Sequence, residues 1–171
     1  MKYIFLLTTM ISLGFSNIFE IDSFNADFEQ IITNDAKNEL KYSGHVSAIK
    51  PNSALWLYTK PTKKQIYISD NKATIVEPDI EQVIIKHLNN SFNFFNMLKS
   101  AKKISDDVYL AKFQNIEYKI KIHKKSIESI SYQDELENSV VITFINQTQN
   151  TKIDAKIFTP IIPADFDVIE D

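Results

Sequence analysis

From Leu40 to Val83 the chain repeats one pattern: a short stretch of alternating apolar and polar side chains, then residues that turn the backbone. Leu40, Tyr42, Gly44, Val46 and Ala48 fall on one side of an extended chain, with Lys41, Ser43, His45 and Ser47 on the other. Trp56 and Tyr58, two apart, share a face again. Between the stretches stand Lys50-Pro51-Asn52, Pro61, Ser69-Asp70-Asn71 and Pro78-Asp79, where proline presets φ and asparagine or aspartate suits a turn. A period of two punctuated in this way predicts neighbouring β-strands, near 54–59, 64–70, 73–77 and 81–86. The rhythm resumes at 107–113, 115–123, 127–134, 139–146 and 152–158.

Two stretches break the alternation. Ser23 can cap a helix in which Phe24, Phe28, Ile31 and Ile32 recur at i, i+4, i+7 and i+8. Asn89 to Lys103 sets Phe92, Phe95 and Leu98, with Phe94 and Met97 beside them, at helical spacing. Ten or so antiparallel strands and two apolar helical stripes predict an α+β domain, one strongly curved sheet with helices packed on its concave side. Ile116, Tyr118, Ile120 and Ile122 alternate with Glu117, Lys119, Lys121 and His123, as in a strand with one wet face. Ala54 to Tyr58 and Val140 to Ile145 are apolar on both faces and call for cover on each. With only two glycines, Asn71, Asn90 and Asn115 are expected at turns that need positive φ.

The 171 residues suit one domain with a real core. Lys2 precedes an apolar run from Tyr3 to Phe15, too short to span a bilayer as a helix, and Gly14 and Ser16 stand at −3 and −1 before Asn17. This predicts a signal peptide over 1–16, cleaved after Ser16, and an exported, soluble domain over 17–171 in a bacterial periplasm. The absence of cysteine removes disulfides, thiolate metal sites and a lipid-bearing N-terminal cysteine. The 19 basic residues, all lysine, against 22 acidic ones leave no basic footprint for nucleic acid. His45, His87 and His123 are scattered without a metal or nucleophile motif, and Asp79 and Glu81, two apart on one strand face, suit a turn and strand edge better than acid–base catalysis. No enzymatic chemistry is expected.

The order Gly44, Lys50-Pro51-Asn52, Trp56, Pro61, Ser69-Asp70-Asn71 and Asp79-Ile80-Glu81-Gln82-Val83 resembles the LolA family of periplasmic lipoprotein carriers. So does the tail, where Phe158, Pro160 and Pro163 lead to Asp167-Val168-Ile169. The resemblance implies an incomplete, half-open antiparallel β-barrel with a lid of short α-helices over an apolar cavity, and no cofactor. It also implies triacylated lipoproteins as cargo, loading from an inner-membrane ABC transporter of the LolCDE type, and delivery to an outer-membrane acceptor or to the outer membrane itself.

A surface for acyl chains is expected from Phe24, Phe28 and Ile31 on the first helix, and from Phe92, Phe95, Met97 and Leu98 on the second. Leu40, Tyr42, Trp56, Ile66, Ile68, Ile142 and Phe144 would contribute from strands. Where the family commonly has arginine before Pro-Asn, this chain has Lys50, which keeps the charge but loses the planar fork. Lys50, Pro51 and Ala54 are the expected latch and mouth, with Ala54 standing where many members carry an aromatic. A sensor or regulatory domain, or a glycolipid-binding module, on the same half-barrel is the alternative.

Overall fold

The computed structural model describes residues 20–69, 71–88, 93–113 and 115–171. The expected signal peptide lies outside them. Twelve strands form one sheet: β1 (Ser23–Thr33), β2 (Glu39–Ile49), β3 (Ser53–Lys60), β4 (Lys64–Ser69), β5 (Lys72–Glu77), β6 (Gln82–His87), β7 (Lys102–Ser105), β8 (Val108–Phe113), β9 (Ile116–His123), β10 (Ser126–Gln133), β11 (Ser139–Gln149) and β12 (Asp167–Glu170). Their order is β12-β6-β5-β4-β3-β2-β1-β11-β10-β9-β8-β7, antiparallel throughout except for β12, which runs parallel to β6. Two meanders, β1 to β6 and β7 to β11, are thus sewn together where β1 pairs with β11.

The sheet is open at both ends and strongly curved. Ile66 of β4 and Tyr118 of β9 line the same cavity although they stand six strands apart in the order. On a flat sheet that separation is about 29 Å.

The helix expected at Ser23 is instead the central strand β1. Four is a multiple of two, so Phe24, Phe28 and Ile32 fit a helical stripe and a strand face equally well. Ala26 and Gln30 settle the period, for both are buried on the side of Phe24 and Phe28. Ile31 lies on the opposite face, level with Lys41 and Val141. Ser23 caps nothing: its hydroxyl donates to the Thr151 carbonyl at 2.6 Å.

Among the described residues one α-helix occurs, α1 (Phe94–Ser100). Asn93 starts it, its Oδ1 accepting from the Asn96 N–H at 2.9 Å. So short a helix does not stand alone in water, and the burial of Phe95, Met97 and Leu98 holds it in place. Lys102 and Lys103, expected in this helix, begin β7.

The strand expected at 152–158 is an extended segment ending in a 3-10 turn, Ala155–Phe158. Phe158 is driven into a second core on the convex face, with Leu55, Tyr67, Val76 and Val83. This is the outer cover that the two-sided apolar strand Ala54 to Tyr58 demanded. The other such strand lacks full cover, since Val141 and Ile145 are partly exposed on the convex side. Asn115 serves its turn at φ 65°, joined by Lys37, Glu137, Lys124, Lys125, Asp107, Asn146 and Asn150, also at positive φ. Asn90 lies outside the described residues.

Asp79 and Glu81 do not share a strand face. Asp79 sits in a 3-10 turn, Pro78–Ile80, with Oδ2 accepting from the Lys63 N–H, and Glu81 closes the turn in the left-handed region. His45 is on the convex face, its Nδ1 at 2.7 Å from Asp27 Oδ1 and its Nε2 at 2.9 Å from Asn25 Oδ1. Hydrogen bonds from Asn146 and His45 hold the Asp27 carboxyl below its ordinary pKa. The cluster ties β1 to β2 and β11.

Candidate functional site, a lidded apolar trough

Among the described residues the concave face carries three adjoining hollows in a row. A nearly filled one of ≈ 40 Å³ lies between Phe24, Val46, Ala48, Ala54, Phe95 and Phe144. It shares Trp56, Ile68 and Phe94 with a larger one of ≈ 280 Å³, walled further by Met97, Tyr118, Ile130, Tyr132 and Ile142. Gln30, Tyr58 and Ile66 form the partition to a third, of ≈ 190 Å³, lined by Ile32, Tyr42, Thr62 and Lys64. The walls arise from strand alternation: residues two apart on β1, β2, β3, β4, β9, β10 and β11 point inward together.

Aromatic side chains pave the trough. Phe28 meets Trp56 and Tyr58 edge-on, each at 5.0 Å between ring centres, and Tyr58 meets Tyr42 at 5.8 Å. Phe24 packs against Phe144 at 5.1 Å and against Phe94 of α1 at 5.4 Å. Such edge-on pairs add rigidity to a surface that is otherwise non-directional. A polar link crosses it, the Tyr58 hydroxyl donating to Gln30 Oε1 at 3.0 Å.

Burial pushes the Tyr58 phenol up, reinforced by Tyr132 and Tyr42. Tyr132 is pushed up to about 12, mainly by burial and then by Tyr118 and Asp134. A phenol raised in the folded state above an ordinary value of about 10 stabilises the fold fully below that pH, and the contribution is lost as pH rises through the folded value. Stability is therefore expected to fall from roughly pH 10 towards 12, and Tyr132→Phe to flatten the slope. Urea melts across that range, with equal slopes for both proteins, would reject the assignment.

α1 lies over the trough and is tethered at its start. Asn93 Nδ2 donates to the Pro51 carbonyl at 2.8 Å while its Oδ1 caps the helix, so one side chain both begins α1 and fixes it to the turn after β2. The Lys50 ammonium goes instead to Asp22 Oδ1 at 2.5 Å, at the entry to β1.

Of the residues expected from the sequence, Phe24, Trp56, Ile66, Ile68, Phe95, Met97, Ile142, Phe144, Tyr42 and Ala54 line the hollows. Phe28 and Leu98 are buried in the adjoining core. Ile31 faces the convex side, Leu40 is 58% exposed, and Phe92 lies outside the described residues. Gln30, Tyr58, Tyr118, Ile130, Tyr132 and Asn93 are not among the site residues expected from the sequence. Inward alternation could have marked the tyrosines, and an Asn before Phe-Phe-Asn-Met-Leu could have marked the cap.

The model of the family described as outer membrane lipoprotein carrier protein LolA matches residues 20–117. An outer-membrane lipoprotein carrier protein of Campylobacter jejuni is 44% identical over 149 residues, covering 86% of each chain. One of Helicobacter pylori is 35% identical over 138 residues, 81% of this chain and 74% of its own. Among solved structures, a LolA superfamily protein from Nitrosomonas europaea superposes with a TM-score of 0.56 at 12% identity, over 84% of this chain and 94% of its own, a likeness of fold. With the half-open sheet, the apolar trough and its capped helix, these matches place the chain in the LolA family of outer-membrane lipoprotein carrier proteins.

Proposed function

We propose that the trough shields the acyl chains of triacylated lipoproteins while they cross the periplasm. Loading is from an inner-membrane ABC transporter of the LolCDE type, and delivery is to an outer-membrane acceptor or the outer membrane itself. The observation that carries this is the mainly apolar and aromatic lining shared by adjoining hollows beneath α1. A buried methylene contributes ~0.8 kcal/mol, so a palmitoyl chain represents on the order of 10 kcal/mol of transfer. Release into water is too slow to be useful, and the carrier must instead hand its load between surfaces nearly as apolar as itself. Transporter ATP hydrolysis supplies the uphill step, and a more apolar acceptor supplies the downhill one. In the native host, depletion is expected to leave lipoproteins at the inner membrane, and unchanged sorting would sink the proposal.

The lid assignment has its own test. Asn93→Ala removes a cap and a tether, each about 1 kcal/mol, and is expected to raise amide exchange in 94–100 by roughly ten-fold or more. Lys50→Ala breaks an exposed ion pair with Asp22, of the order of 0–1 kcal/mol, and is expected to leave lid exchange near its starting value. The reverse ranking would return the latch to Lys50.

A further inference from the structure

We infer that the convex side of the β7–β9 wing docks on an anionic phospholipid surface. Residues 99–125 hold eight of the chain's 19 lysines but three of its 22 acidic residues, whereas the remainder holds eleven lysines against nineteen acids. The sheet sorts these charges by face. Cross-strand pairing sets Lys102 level with Leu110, and Leu110 level with Lys119, while Lys112 faces Glu117 and Lys121 faces Val108. Their intervening neighbours Ala111, Tyr118, Ile120 and Ile122 are buried on the concave side, so Lys102, Lys112, Lys119 and Lys121 all project outward. Lys124 and Lys125 extend the patch at the following turn.

Four carboxylates sit in or beside it. Glu117 pairs with Lys112, Glu128 with Lys121 and Asp106 with Lys103, and Asp107 lies in the β7–β8 turn. The positive excess survives them. Lys102, Ile104, Leu110 and Lys112 line a shallow groove of ≈ 350 Å³, in which Ile104 is 57% exposed. An exposed isoleucine among lysines suits a lipid surface, where the side chain enters the headgroup layer and the ammonium groups stay with the phosphates. The absence of arginine argues the same way, because lysine acts as a point charge suited to a diffuse anionic plane rather than a bidentate partner. The acidic remainder of the chain is repelled by the same plane, which fixes the orientation. α1 runs through Ala101 directly into β7, so the docked wing is continuous in the chain with the lid.

Only the consequence of docking for unloading rests on the proposed carrier role; the docking itself is a property of the empty protein. The test is flotation of the unloaded chain with vesicles of phosphatidylglycerol and phosphatidylethanolamine, against vesicles of phosphatidylcholine. Binding is expected to the first only, and to weaken at least ten-fold between low and physiological salt. Lys102→Gln, Lys112→Gln, Lys119→Gln and Lys121→Gln together are expected to lower it at least ten-fold, while a control with Lys41, Lys60, Lys72 and Lys86 changed to Gln retains it. Ile104→Ser is expected to reduce what binding remains at higher salt. No binding to anionic vesicles, equal binding to phosphatidylcholine, or equal losses in the two quadruple variants would each overturn the inference. The lipid and salt comparisons use the unaltered chain and stand if a variant fails to fold. Normal docking with lipoprotein sorting unaffected by depletion would instead count against the carrier role alone.

Discussion

Gly44→Ala is expected to lower stability by about 3 kcal/mol or more, on the order of 10 °C in melting temperature for a chain of this size. A Cβ on Gly44 would stand 1.9 Å from the Leu57 carbonyl oxygen, 2.9 Å from its carbon and 3.0 Å from Phe28 Cε1. The obstacle is backbone, so no change of rotamer relieves it. Gly44 sits where the β2–β3 register shifts, and the Leu57 backbone comes close to it there. Displacing β3 would carry Trp56 and Tyr58 out of the trough wall, so acyl-probe binding should fall together with stability. Paired thermal and urea melts check this, and a variant melting within about 2 °C of the parent would show that the approach is not close.

Ile68→Glu is expected to leave the fold largely intact and to abolish most acyl-probe affinity. Ile68 is half-buried and lies on the wall shared by two hollows. A carboxylate there must either keep its water, which excludes an acyl chain, or lose it without a cation to compensate. The cost of the second course is several kcal/mol. A loss of about 3 kcal/mol corresponds to more than a hundred-fold in dissociation constant. Fluorescence titration with an acyl probe gives the readout. Unchanged affinity at unchanged melting temperature would remove this wall from the binding surface.

Most of the sheet was legible because a strand with one wet face writes its geometry into the sequence at every second residue. β2 and β9 follow that rule closely. β1 was misread because its three largest inward side chains are spaced by four, a distance common to helix and strand, and only Ala26 and Gln30 break the tie. Phe158 could not be placed because its partners Leu55, Tyr67 and Val83 come from three separate strands. The trough was half legible for a related reason. Inward alternation identifies Trp56, Ile66 and Ile142, but the same alternation is obeyed by Ile120 and Ile122, which fill the core. Which inward residues line space and which fill it depends on curvature that no local pattern encodes. The lid tether is the extreme case, a cap residue bonded to a carbonyl 42 positions away.

The seam between β1 and β11 has a consequence for how the chain acquires its fold. It joins partners well over a hundred residues apart, such as Asp27 and Asn146 at a separation of 119, whereas the other antiparallel neighbours follow one another along the chain. A chain emerging N-terminus first can therefore complete β1 to β6 by local steps, but β1 then waits with one edge unpaired and Phe24 and Phe28 short of their cover. Until the last long strand arrives, the most apolar part of the molecule is an open template for foreign strands. The hazard during folding and the capacity to hold acyl chains come from the same inward face.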